Sequence, residues 1–407
     1  MHALSGIRVL DLSQMWAAPG AAMYLADHGA EVIKVEPPGG DEARRTLTQP
    51  PIAGGESRAF LALNRNKRGI ALDIRDARGR EVVRDLVRRS DVLIHNFRPG
   101  VAERLGCDYP SLRAVNGRLV YAWITAYGHE GPFAARPGYD LLFQGLSGIL
   151  ARRRLPDGRP LGASVWVADC SAPMILAYGI ALALLARERT GQGQLVTTSL
   201  LHAALAMQLP DLVTVERAGD EAGGEVDYAE QAMFAPYRCR DGRFLVIVAI
   251  QDEQWRRLCR ALGRADLADD PRYAAPLDRA RESTVLGGIL AEAFAARDCD
   301  EWLAALADAD VPCAPVLEPG QVLDDPQVRA NEMLAATTHP VAGRTVMVSQ
   351  PARLHGTEGA LARPAPLLGE HTEEVLRELG YPPGRIRELE TQRVIRCLPA
   401  PAAAHPS

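Results

Sequence analysis

Asp169 lies between an apolar, strand-like run, Ala163–Ala168 (ASVWVA), and a long apolar, helix-like run, Met174–Ala186 (MILAYGIALALLA). A carboxylate at such a junction can do one of two things. It can cap the helix, accepting hydrogen bonds from the free N–H groups of the first turn. It can instead be a nucleophile, held where strand ends and helix begins, the usual ligand position in open α/β sheets. For a lone Asp, capping is the commoner role. Cys170 has no His near it in sequence and reads as a small buried residue rather than a second nucleophile.

The elements that would position Asp169 alternate between strand and helix periods. Ile7–Leu12 reads as a strand, Ala17–His28 as a helix stopped by Gly29, and Glu31–Val35 as the next strand. Gly69–Ile74, Asp91–His95 and Arg118–Thr125 are further apolar strands. Asp76–Ser90 places Val82, Val83, Leu86 and Val87 at helical spacing behind an Asp start signal. This alternation predicts an α/β fold with a parallel, doubly wound, Rossmann-like sheet. The turn after the first strand, SQMWAAPG, lacks GxGxxG, so a ligand other than a nicotinamide dinucleotide is expected.

Beyond a polar stretch at 217–226, a smaller α+β unit is predicted. Tyr237–Cys239 and Phe244–Ile250 flank Arg-Asp-Gly as a hairpin. Helices over Asp252–Leu262, Ser283–Ala295 and Cys299–Ala307 follow, then an extended segment at 311–316. Later come a β segment, Arg344–Val348, and a helix, Thr372–Leu379. The expected division is a large domain over 1–215, a small domain over 228–330, a return to the large domain over 335–395 and a disordered tail over 396–407.

The bulk numbers suit a chain of about two domains: 407 residues, 47% hydrophobic and 24% charged. A net charge of −5 argues against non-specific nucleic-acid binding. No signal peptide, membrane span or paired-cysteine metal motif is read from the chain, which points to a cytoplasmic protein with no metal site.

Several ordered segments resemble the class III CoA-transferase family, the formyl-CoA transferase and carnitine CoA-transferase group. They are LSGIRVLDLS near the start, GAEVIKVEPPGGDEAR at 29–44, LNRNKRGIALDI at 63–74, DVLIHNFRPGVAERLG at 91–106, GYDLLFQGLSG at 138–148 and the Asp169 junction. VPCAPV, DDPQVRA, HPVAGR and LGEHTEEVL extend the resemblance to about residue 382. It implies that Asp169 is catalytic and that CoA or acyl-CoA is a substrate, with no permanently bound cofactor. The second substrate would be a small carboxylic acid. It also implies an interlocked homodimer. CoA contacts are implied for Met15 and Trp16 after the first strand, Leu72, Asp73, Ile74 and Arg75, Asn96 and Phe97, Arg98 and Arg104, and Tyr139. Taken singly, Arg98 and Arg104 read as surface charges, with a phosphate contact favoured for Arg104 by its place near Asn96; Trp16 reads equally as a stacking wall or a core aromatic, and Lys67 and Arg68 as turn residues.

Two departures from the family pattern stand out. Pro37 follows Glu36 where some relatives carry a basic residue, and only Gly223 and Gly224 are offered where some members have a glycine run that closes over the intermediate. The competing reading is an α-methylacyl-CoA racemase, which places a His in a GHD-like segment. This chain reads Gly138-Tyr139-Asp140, and a phenol with an ordinary pKa near 10 is a poor base. A catalytically inactive CoA-binding protein is the third reading, and the presence of Asp169 counts against it.

Overall fold

The computed structural model describes residues 1–45, 52, 56–213 and 231–398. They fall into two compact units, Met1–Val213 with Ala330–Ser407, and Thr214–Arg329. The first is built on a sheet whose strands in chain order are β1 (Arg8–Asp11), β2 (Glu31–Glu36), β3 (Lys67–Leu72), β4 (Val92–His95), β5 (Val120–Thr125) and β6 (Leu195–Ser199). In the second unit β7 (Phe234–Arg238) pairs with β8 (Phe244–Val248), and β8 with β9 (Cys313–Pro315), all antiparallel. Its core gathers Trp255, Leu258, Leu290, Phe294 and Trp302 from three helices. The first unit adds a hairpin, β10 (Leu334–His339) with β11 (Gly343–Val348), and a last strand, β12 (Ile395–Arg396).

The large sheet runs β12-β3-β2-β1-β4-β5-β6. Strands β1 to β6 are parallel, as the alternation predicts, but β12 joins antiparallel, pairing Ile395 with Leu72 and Arg396 with Ala71. The tail expected from 396 is corrected at its start: Arg396 lies in a strand, and Val394 and Ile395 belong to the core. The strand was too short to read from its own pattern. Residues 399–407, like Gly223 and Gly224 of the expected glycine pair, lie outside the described residues.

Helices cover both faces. On one, Val82, Val83, Leu86 and Val87 of the Ala77–Arg88 helix pack with Val375, Leu376, Ile386 and Leu389 from the C-terminal helices. Asp76 caps the first of these, accepting from the Arg78 N–H. On the other face, Ala17–Asp27 lies against Val167–Thr190, both rich in small residues that let the backbones approach. A Cβ on Gly20 would meet Pro173 Cγ at 3.0 Å. Among the described residues, Val167–Thr190 alone is long and apolar enough to cross a membrane, but half of its apolar window is buried in this core.

Two local expectations fail. Ala163–Val165 forms no strand, and the helix begins at Val167, so Asp169 sits inside its first turn rather than before it. Lys67 and Arg68 are not turn residues. Both lie in β3 and are buried, Lys67 by an ion pair to Asp11 and Arg68 by carboxylates of Glu31, Glu374 and Glu378.

Candidate active site

The chain leaves β1 for β2 and β3 on one side of the sheet and continues with β4, β5 and β6 on the other. The switch point thus lies between β1 and β4, where open α/β sheets bind ligands beyond the strands' carboxyl ends. The segments there are Leu12–Trp16 after β1 and Asn96–Phe97 after β4.

The turn after β1 is held from below by buried charge. Lys34 Nζ pairs with Asp41 at 2.9 Å and donates to the Ser13 carbonyl at 2.8 Å. Lys67 Nζ reaches Asp11 at 2.9 Å, the Asn64 side-chain oxygen at 2.9 Å and the Pro19 carbonyl at 2.8 Å. Asp41 accepts the Met15 N–H at 3.1 Å, and Asn96 accepts the Gln14 N–H at 3.0 Å and donates to the Gln14 carbonyl at 2.7 Å. Met15 adopts a left-handed backbone (φ 68°), a conformation that costs a non-glycine residue about 1–3 kcal/mol and persists where surroundings fix it. These bonds fix it.

Two cavities open around this turn. The larger, about 630 Å³, is lined by Met15, Trp16, Asn96, Phe97, Arg98, Tyr139 and Asp169. The second, about 450 Å³, is lined by Leu72, Asp73, Ile74, Arg75, Phe97 and Arg104. Gln14, Phe97 and Val101 border both. Every residue for which the resemblance implies catalysis or a CoA contact thus lies on one cavity or the other, and Phe97 lies on both. Its backbone is pinned: its N–H bonds the buried His95 ring, and its carbonyl accepts from Trp123 Nε1 at 2.9 Å.

Trp16 is a cavity wall rather than a core aromatic, meeting Trp166 edge to face at 5.8 Å. Arg75 is paired with Asp73, whereas the guanidinium groups of Arg98 and Arg104 have no protein partner among the described residues. Gly138 must be glycine, since a Cβ there would lie 2.3 Å from Phe143.

The helix carrying Asp169 is capped by another residue. Asp140 Oδ1 accepts the N–H groups of Ala168 at 2.6 Å and Asp169 at 3.0 Å. The Asp169 carboxylate accepts no hydrogen bond from the described residues and has no cationic partner among them. Burial, and then the neighbouring Asp140 carboxylate, push its pKa up to about 7. Cys170 is exposed, against expectation, because it faces away from the core on this helix.

Sequence reasoning missed Asp140, Gln14 and Arg136, which also line the larger cavity. Asp140 stood in the same Gly-Tyr-Asp segment as Tyr139, but its partner lies 28 residues on, beyond local pattern.

The model of CoA-transferase family III matches residues 4–372. The chain belongs to CoA-transferase family III. It is 34% identical to the formyl-CoA:oxalate CoA-transferase of Streptomyces avermitilis, over 97% of this chain and 99% of that one. It is 35% identical to the succinyl-CoA:glutarate CoA-transferase of Mus musculus, over 97% and 91%. Among solved structures it resembles a CaiB/BaiF family protein from Brucella suis, at 34% identity and TM-score 0.78, covering 93% and 99% of the two chains. As a family III CoA-transferase the protein is an enzyme that uses CoA thioesters, and the mixed α/β fold with its mainly parallel sheet agrees with that neighbour.

Proposed function

We propose that the protein moves CoA from an acyl-CoA donor to a carboxylic acid through a covalent intermediate on Asp169. The carboxylate attacks the thioester carbonyl, forming a mixed anhydride and releasing CoA thiolate. The thiolate attacks the Asp169 carbonyl of the anhydride, expelling the donor acid and leaving an aspartyl-CoA thioester. The acceptor carboxylate attacks that thioester, giving a second anhydride and freeing thiolate again. Thiolate then takes the acceptor acyl group, and Asp169 is regenerated as carboxylate. Holding CoA by its nucleotide end keeps the thiolate close between steps.

One observation carries this reading: the Asp169 carboxylate lines a large cavity without a hydrogen-bond partner among the described residues, while Asp140 does the capping. The alternative role offered by the sequence is therefore filled. The racemase reading is not favoured, since the similar curated proteins are CoA-transferases and Tyr139 stands where that reaction needs a His. A panel of acyl-CoA donors and carboxylates, with formyl-CoA and oxalate and succinyl-CoA and glutarate as first pairs, read by mass spectrometry, tests the activity. No exchange with any pair would count against it.

The second cavity suits the nucleotide end of CoA, with Arg104 as a cation that has no partner among the described residues. Arg104→Ala is expected to weaken CoA by about 1.5–3 kcal/mol, the value of a charge-assisted bond, and to leave pantetheine unchanged. Calorimetric titration of both ligands checks this; equal losses would move Arg104 off the phosphates.

We read the assembly as a homodimer. Met174, Tyr178, Leu182 and Leu185 lie along one exposed side of the Val167–Thr190 helix, with Leu141, Leu142 and Val165 also exposed nearby in the chain. So much exposed apolar surface is unusual for a monomer. Light scattering on dilution is expected to show a dimer that does not dissociate; a folded monomer would contradict it.

A further inference from the structure

Asp140 is buried, 2% exposed, and its two oxygens do different work. Oδ1 holds the Ala168 and Asp169 N–H groups, while Oδ2 accepts from Gln144 Nε2 at 2.6 Å. Gln144, one turn further along the Asp140–Leu146 helix and also buried, bonds the approach to Asp169 at both ends of its amide. Its Oε1 accepts the Ala163 N–H at 2.9 Å, and its Nε2 donates to the Val165 carbonyl at 3.3 Å. Residues 163–169 thus have no strand to hold them and are clamped by this pair instead.

The clamp has a chemical consequence. First-turn N–H groups are the donors that stabilise a nearby carboxylate and make it a weaker base. Asp140 occupies two of them. We infer that Asp140, locked by Gln144, is a positioning residue that fixes the backbone of Asp169 while withholding helix N–H groups from its carboxylate, so that the nucleophile stays unbonded. This rests on Asp169 being the nucleophile. The other titratable groups around Asp169 are Arg98, Arg136 and Tyr139 on the cavity wall, Cys170 beside it in the chain, and Tyr24 on the packed Ala17–Asp27 helix. Beside burial, the Asp140 carboxylate raises the Asp169 pKa.

The test is the pH profile of kcat/KM, whose acidic limb reports ionisation of the free enzyme's nucleophile. Asp140→Asn keeps an oxygen for the two N–H groups and removes the charge. Its acidic limb is expected to move down by about one pH unit, the size of a near like-charge effect. Asp140→Ala also frees the N–H groups, so its limb moves further. Its kcat falls by about 10–100-fold through misplacement, while KM for acyl-CoA changes less than about threefold. Gln144→Leu leaves Asp140 in place but opens the clamp, and the same loss of kcat is expected with a smaller shift; it serves if Asp140→Ala does not fold. Wild-type limbs and kcat in the folded variants would overturn the inference. Asp169→Asn, run alongside, separates the two ideas. If it is inactive while the Asp140 and Gln144 variants behave as wild type, only the positioning role fails; if it retains exchange, the nucleophile itself is wrong.

Discussion

Asp169→Asn is expected to abolish CoA exchange, with a fall of at least about 10³-fold, because a neutral amide cannot attack a thioester. The same variant is expected to be more stable than the parent at pH 8. The carboxyl pKa is raised from an ordinary 3.8 to about 7 in the folded protein. The unfolded chain therefore ionises first as pH rises. Asp169 costs the folded state nothing below about pH 4, an increasing amount between about pH 4 and 7, and a constant amount above. Removing the charge should restore on the order of 4 kcal/mol at pH 8 and nothing near pH 4. Denaturation midpoints at the two pH values check this. Lost activity with lower stability at pH 8 would instead mark Asp169 as a structural residue.

The second large effect lies under the site. Lys67→Met leaves Asp11, fully buried, without its closest cation, and breaking a buried pair of this kind costs about 3–5 kcal/mol. The Pro19 carbonyl and Asn64 side chain lose their donor as well. Asp11→Asn combined with Lys67→Met should cost less than the two single changes added together, since no buried charge is then left alone. Urea unfolding of the two single variants and the double measures the coupling. Additive losses would mean that the pair contributes nothing as a pair. Because Asp11 also accepts the Ser13 N–H at 3.0 Å, the single variant should raise KM for acyl-CoA by loosening the turn that carries Met15 and Trp16.

Much of this was legible in the chain. The Asp76 helix, the parallel strands and the Asp-Gly hairpin follow from periodicity and start signals that act within a few residues, and the structure has them within a residue or two at most ends. The grouping of these residues on two adjoining cavities was legible only through the family resemblance, since nothing local ties Leu72 to Phe97. What escaped was long-range and polar. An apolar run before a helix reads as a strand, but ASVWVA finds no neighbouring strand and is held by Gln144 and Asp140 from another helix. Lys67 and Arg68 read as turn residues because nothing in NRNKR reveals that Asp11 and three glutamates converge on them. Strand β12 needs the exposed edge of β3 to exist at all.

In the proposed reaction Asp169 becomes acylated. Incubating the enzyme with an acyl-CoA donor and no acceptor, then adding hydroxylamine and digesting, examines it at the atom concerned. A hydroxamate mass change on the peptide containing Asp169, dependent on the donor, is expected. Solvent deuterium entering the substrate α-position with no adduct on that peptide would contradict it.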